Sequence, residues 1–320
     1  MWKRIRKTAL YGIGLILLLA LAGAVYQWNG ERQDRSKYQP VGNLYDVFNH
    51  RMHLYAEGEG NTTVVFASGW GTVNPYSDFY PLYEGLRGHV KIAVYDRFGY
   101  GYSDTTGRKR DIDSITDELR EVLRQSGQQP PYVLVGHSLG SLEVIRYAQR
   151  FPDEVKGIVM VDGGSPEYYK ESPALTIIPI VQRLALKTGI IRTLYRFDGF
   201  ADNMNDQRNA LKLLPQELQE LERRSTLLQL ANRDMTDEIR QSRRNADTIL
   251  KDKKAFDFPL TVLSADYFGK FANDKLWIDS QAAFPEWSSS GKQIIVPDSS
   301  HYLHQYKPDV VVEEILKVAR

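Results

Sequence analysis

The residues Tyr132-Val133-Leu134-Val135-Gly136-His137-Ser138-Leu139-Gly140-Ser141-Leu142-Glu143 run from a β-rich apolar segment, through Gly-x-Ser-x-Gly, into a helical pattern. This spacing predicts a sharp strand-to-helix turn with Ser138 at its apex. Gly136 and Gly140 lack β-carbons, so the turn can close while Ser138 Oγ projects above the carboxyl edge of a sheet. Ser138 is the candidate nucleophile. A serine hydroxyl is almost fully protonated near neutrality, so attack on a carbonyl needs a neutral imidazole to take the proton and an acid to orient that imidazole. It also needs amide N–H groups where the carbonyl oxygen gains charge.

Positioning such a turn requires a sheet, and the chain provides the pattern for one. Short β-rich apolar runs alternate with helical patterns from about residue 44, which predicts a mainly parallel sheet covered by helices on both faces. The candidate strands are 44–48 and 51–55, flanking Asn49-His50 as an opening hairpin, then 63–67, 92–96, 132–135, 157–161, 260–264 and 293–296. Ile115, Leu119, Val122 and Leu123 recur at helical spacing over 113–125, and Pro308 opens a helix carrying Val310, Val311, Ile315 and Leu316. Residues 165–258 break the rhythm with long helical patterns and no strand, and are expected to form a helical insertion. Its apolar part, residues 175–194, either packs on the sheet domain or forms an apolar cap over a pocket or a lipid-facing surface.

From about residue 47 onward the chain resembles the α/β-hydrolase superfamily, interrupted only by that insertion. Beside the serine turn, Val65-Phe66-Ala67-Ser68-Gly69-Trp70-Gly71 is similar to the family's strand and oxyanion turn, with Ser68 where many members have histidine. Tyr95-Asp96-Arg97-Phe98-Gly99-Tyr100-Gly101-Tyr102-Ser103-Asp104 resembles the following strand and turn, taken as architectural. Phe151-Pro152-Asp153 through Asp162 resembles the return to the next strand, and Ser299-Ser300-His301-Tyr302-Leu303-His304 the segment that carries the catalytic histidine. The resemblance implies an eight-stranded, mainly parallel sheet with a helical cap. Residues 44–164 and 259–320 would form the core, and 165–258 the cap.

The chain order Ser, acid, His then points to His301 as the base, with His304 as a supporting or packing residue. His137 should point away from Ser138, and His50, His53 and His89 have structural contexts. The spacings His50/His53 and His301/His304 lack an obvious third ligand, so no metal is expected. Many relatives place the acid three residues beyond a glycine after the penultimate strand, but Leu263-Ser264-Ala265-Asp266-Tyr267-Phe268 has alanine for that glycine and Phe268 at the acid position. Other relatives carry the acid one strand earlier, where Asp162 stands. The acid is therefore expected at Asp162, with Asp266 and then Asp274 as alternatives. Leu139 N–H, at the start of the helix after Ser138, and Trp70 N–H are the expected oxyanion donors.

Residues 9–26 are a nearly continuous apolar run of 18 behind Lys3, Arg4, Arg6 and Lys7, with Tyr26 and Trp28 at the far side. About 20 apolar helical residues cross a bilayer core, and basic clusters prefer the cytoplasmic side, so residues 1–30 are expected to form an anchor with the body outside. The alternative is a cleaved signal, with Ala20-Leu21-Ala22 or Ala22-Gly23-Ala24 as cleavage sites. Residues 31–43 are expected to be a tether. With no cysteine, the chain can form no disulfide, thiolate-zinc site or lipoprotein anchor. A net charge of +1 provides no field for gathering nucleic acid.

These features lead to a membrane-anchored serine hydrolase of carboxylic esters, lipid-like esters included, working through an acyl-enzyme without a cofactor. The same machinery serves amide hydrolysis, an acyltransferase or a cofactor-free haloperoxidase-like enzyme. A non-catalytic ligand-binding module on this fold is the remaining alternative. Ser138 argues against the aspartate nucleophile of dehalogenases and epoxide hydrolases of this fold. Oligomeric state is not set by the sequence.

Overall fold

The computed structural model describes residues 1–174, 176–197, 199–269 and 275–320, so the alternative acid Asp274 lies outside the described residues. Eight strands form one sheet: β1 (Asn43–Val47), β2 (His50–Glu57), β3 (Thr63–Ala67), β4 (Lys91–Tyr95), β5 (Tyr132–His137), β6 (Val155–Val161), β7 (Leu260–Ala265) and β8 (Gly291–Val296). Their order is β1-β2-β4-β3-β5-β6-β7-β8. The β1–β2 and β2–β4 pairs are antiparallel, and every later pair is parallel. The opening hairpin turns at Phe48 and Asn49, both at positive φ, one residue earlier than expected. Asn49 tolerates the left-handed conformation, and its N–H is held by Asp46 Oδ1 at 3.1 Å.

Alternation along the strands divides the core between the two faces. Val65, Ala67, Leu134, Ile158, Met160 and Val262 face the helices Ile112–Gln125, Gly140–Arg150 and Arg233–Lys251. Val64, Phe66, Val133, Val135, Val159 and Leu263 face Tyr80–Leu86 and Pro308–Ala319. A strand apolar on both sides can be stable only between two helical layers, which is why β3 is buried along its whole length.

Among the described residues, the segment between β6 and β7 is helical, including Ile177–Lys187, Ile190–Leu194, Gln216–Gln229 and Arg233–Lys251. Buried charges lock it to the core. Arg208 reaches Asp78 Oδ1 at 2.8 Å and Glu222 Oε2 at 2.7 Å, while His304 Nε2 lies 3.1 Å from Asp78 Oδ2. Burial opposes charge on Asp78, but His304 and Arg208 overcome it and hold its carboxyl well below the usual carboxylate range.

The amino-terminal helix runs unbroken from Trp2 to Lys37, 36 residues or about 54 Å at 1.5 Å per residue. It is long and apolar enough to cross a membrane, and no residue of its most apolar part is buried. Its last turns correct the expected tether, because residues 31–37 are helical and docked on the cap. Arg192 bonds Asp34 at 2.7 Å and Gln27 Oε1 at 2.8 Å, Gln27 Nε2 donates to Leu227 O at 2.9 Å, and Lys187 meets Glu31 at 2.9 Å. Tyr38 completes the attachment by accepting from Asn74 and Ser225. These partners lie more than 150 residues away in sequence, or at the core, so the polar composition of 31–40 gave no sign of them.

A depressed Asp78 pKa contributes stability above the unfolded carboxylate value and loses it as pH falls below about 4. Asp78→Asn is expected to cost about 3–5 kcal/mol at neutral pH by breaking a buried ion pair. It should also flatten the acid limb of a chemical-denaturation profile. An unchanged acid limb would contradict this role.

Candidate active site

Strand register brings the two key strand ends to one level. His137 on β5 pairs with Val161 on β6, so Ser138 and Asp162 leave adjacent parallel strands side by side. Both leave in the left-handed region, Ser138 at φ 51° and Asp162 at φ 43°. Such conformations cost roughly 1–3 kcal/mol each in a non-glycine residue and persist only where the surroundings enforce them. Here the enforcement is visible: Gly164 N–H bonds Ser138 O at 3.3 Å, Ser141 Oγ donates to Gly164 O, and Asp162 N–H bonds Leu263 O at 2.8 Å. Gly140 is required because a β-carbon there would lie 2.5 Å from Ala67 O, where the turn seats on the end of β3.

Asp162 is fully buried and carries four donors. Oδ1 accepts Ala265 N–H and Gln281 Nε2, both at 3.0 Å, and Oδ2 accepts the Tyr267 hydroxyl and faces His301 Nδ1, both at 2.7 Å. Bonds to an ionised carboxylate of this length are among the stronger protein hydrogen bonds. The end of β7, where many relatives carry their acid, here supplies an amide to Asp162. Asp266 instead ties the loop by accepting the N–H groups of Phe268 and Ser299 at 3.0 Å, and Phe268 is exposed. Tyr267 and Gln281 were not singled out from sequence, since nothing local marks them.

The His301 loop returns to this same edge. His137, next to Ser138 in the chain, is fully buried, its Nε2 3.1 Å from His301 O and its ring 4.8 Å from the His301 ring. Burial and the neighbouring His301 and His304 hold His137 well below its ordinary pKa, leaving it a neutral spacer. On the other side stands Tyr169, whose hydroxyl would lie 2.7 Å from a β-carbon on Gly164, and burial raises this phenol so that it stays protonated. Ser138 is half-buried and His301 keeps 23% of its side chain exposed, so each retains an accessible face.

The turn at Ser68-Gly69-Trp70 abuts the serine, since a β-carbon on Gly69 would lie 3.0 Å from Ser138 Cβ. Buried Arg97 sets its orientation, donating to Ser68 O at 2.8 Å and Gly69 O at 3.2 Å. In a trans peptide the carbonyl and the next N–H point in opposite directions, so fixing Gly69 O also fixes where Trp70 N–H points. Trp70 Nε1 donates to Met235 O at 2.7 Å, which ties the indole to the cap. Leu139 precedes the helix Gly140–Arg150, whose first-turn amides have no intrahelical acceptor. A cavity of about 180 Å³ bounded by Trp70, Tyr195, Arg208, Leu230, Met235 and Tyr302 lies between this turn and the cap.

The remaining histidines occupy other environments. His53 is buried, with Nδ1 2.8 Å from Asp96 and Nε2 2.7 Å from Val41 O; His50 packs edge-on against Phe98, and His89 is exposed. His304 does gain the companions that spacing alone did not reveal: Asp78, His137 and His304 present donor atoms within 4.8 Å of one another. Arg208 already supplies the positive charge that a metal would bring to Asp78.

A family model described as alpha/beta hydrolase fold matches residues 62–308. An uncharacterized Bacillus subtilis protein, YbdG, is 27% identical over 100% of this chain and 98% of its own length. The pimeloyl-[acyl-carrier protein] methyl ester esterase of Shewanella woodyi is 28% identical over 46% of this chain and 54% of its own. The crystal structure of the Cif epoxide hydrolase from Acinetobacter nosocomialis superposes with a TM-score of 0.69 at 16% identity, covering 93% of this chain and 97% of that one. With the eight-stranded sheet and the family match over most of its length, this chain belongs to the α/β-hydrolase fold family.

Proposed function

We propose that this protein is a membrane-anchored serine hydrolase that cleaves carboxylic esters. The observation that carries the proposal is the His301–Asp162 pair at 2.7 Å, on the sheet edge from which Ser138 projects. In this mechanism Ser138 Oγ attacks the ester carbonyl as His301 Nε2 takes its proton. Asp162 fixes the imidazole tautomer and stabilises the imidazolium, and the N–H groups of Leu139 and Trp70 hold the oxyanion. Collapse expels the alcohol, protonated by His301, and leaves an acyl-enzyme, which water then hydrolyses by the same proton transfers in reverse. The cavity beside Trp70 would receive one arm of the substrate. Likeness to an ester hydrolase supports this substrate class, although it covers only part of either chain. The amino-terminal helix serves as the anchor, with the basic residues before it on the cytoplasmic side and the catalytic body outside.

A fluorophosphonate probe should label the intact protein at Ser138, and Ser138→Ala should remove both labelling and ester turnover while the far-ultraviolet dichroism stays unchanged. Retained turnover would remove Ser138 from the mechanism. Asp162→Asn is expected to lower kcat by about 10⁴ through the wrong imidazole tautomer, whereas Asp266→Asn should stay within about tenfold of wild type. The reverse ranking would transfer the acid role. Amino-terminal sequencing of the native protein should begin at Met1 or the residue after it; a start near Gly23 or Val25 would replace the anchor with secretion.

A further inference from the structure

The cap meets the amino-terminal helix on the end of its apolar stretch as well as beyond it. Gly23 lies within the run 9–26, yet a β-carbon there would sit 2.1 Å from Thr188 O, and one on Gly189 would sit 2.5 Å from Gly23 O. Two backbones are therefore in direct contact at the turn between Ile177–Lys187 and Ile190–Leu194. Eighteen helical residues rise about 27 Å, close to the ~30 Å hydrocarbon thickness, so a helix that spans the bilayer through this run carries the turn at residues 188–189 to the hydrocarbon edge. Gln27, Asp34 and Arg192 hold the two parts in a fixed relation there.

The side chains beside that turn suit such a location. Ile180, Val181, Leu184 and Ile190 are all more than half exposed, Leu184 at 64%. The first three follow helical spacing and make one stripe. A contiguous exposed apolar surface of this kind marks an interaction face on a soluble body. Next to it, a groove of about 650 Å³ between Ile177–Lys187 and Arg233–Lys251 has Ile180 and Leu184 on its wall and Arg183, Arg233 and Arg240 around it, together with Lys187, which is paired with Glu31. No carboxylate belongs to this lining among the described residues. Apolar side chains beside cationic ones match a phospholipid, with acyl carbon against the former and an anionic phosphate against the latter.

We propose that this face of the cap is a lipid-contact surface, seated in the headgroup layer of the same bilayer that holds the amino-terminal helix, with the neighbouring basic groove receiving anionic phospholipid. The proposal rests on the anchor reading above and adds a second, independent point of membrane contact. It brings the roof of the candidate active site, to which Trp70 is tied, against the bilayer. Interfacial helices bury their apolar face about 5–10 Å into the headgroup and acyl boundary, a depth that Leu184 and Ile190 can reach from the turn.

The absence of cysteine makes the test direct, because one introduced thiol is the sole labelling site. Full-length Leu184→Cys, Ile190→Cys, Ile16→Cys and Gln129→Cys proteins would each carry an environment-sensitive fluorophore. They would be reconstituted into phosphatidylcholine vesicles with and without phosphatidylglycerol, containing shallow or deep nitroxide-labelled lipid. Labels at Leu184 and Ile190 should lose emission with the shallow quencher, more strongly when phosphatidylglycerol is present. The label at Ile16 should lose it with the deep quencher, and that at Gln129 with neither. Quenching at Ile16 without quenching at Leu184 and Ile190 overturns the proposal and leaves the anchor standing. No quenching at Ile16 overturns the anchor and the proposal with it. Equal quenching with and without phosphatidylglycerol rejects the anionic groove.

Discussion

A buried carboxylate must be satisfied by donors or give up its charge, and the edge of this sheet is organised around that requirement at Asp162. Its four donors come from the end of β7, the loop after it, the helix Lys275–Ala283 and the loop after β8. Each donor comes from a segment that reaches the carboxyl edge only if the parallel strand order is right. The same requirement explains why the His301 loop cannot drift. Its imidazole is one of the donors, and its backbone carbonyl faces a histidine buried beneath the serine turn.

A second set of buried charges ties the cap to this arrangement. Asp78 stands between His304, three residues after His301, and Arg208 of the cap, which also engages Glu222. The charges offset one another only while cap, core and histidine loop are together, so displacing any one exposes an uncompensated charge to a low-dielectric interior. Arg97 plays a comparable part beneath the Ser68-Gly69-Trp70 turn, lying between Glu143 and Glu238, each 3.3 Å away, and stacking over Tyr100 at 4.3 Å. Burial raises the Glu143 carboxyl above its ordinary range, against the pull of that guanidinium.

What was legible in the sequence was whatever local pattern controls. The eight strands lie at their expected places within a few residues, because β-branched alternation and turn residues act over short distances. The serine turn was legible because it needs two glycines at fixed spacing. Tyr267 and Gln281 were not, since an ordinary tyrosine and glutamine acquire their roles only when β6, β7 and the helix after them converge on one carboxylate. Residues 31–37 depart from the expected tether for a related reason. A polar helix with a distant Arg192 for its Asp34 has the composition of a solvated linker until the fold supplies the partner. His304 likewise acquired its carboxylate from Asp78, 226 positions away.

The contact at Gly23 bears on how accessible the chain is at that point. Signal peptidases act on extended chain, but in the finished fold the small residues Ala22-Gly23-Ala24 are helical and Gly23 is pressed backbone to backbone on Thr188 and Gly189. An enzyme that needs extended chain would reach these residues only where the helix has unwound and left the cap. Opening that segment therefore requires separating two glycine backbones packed against each other.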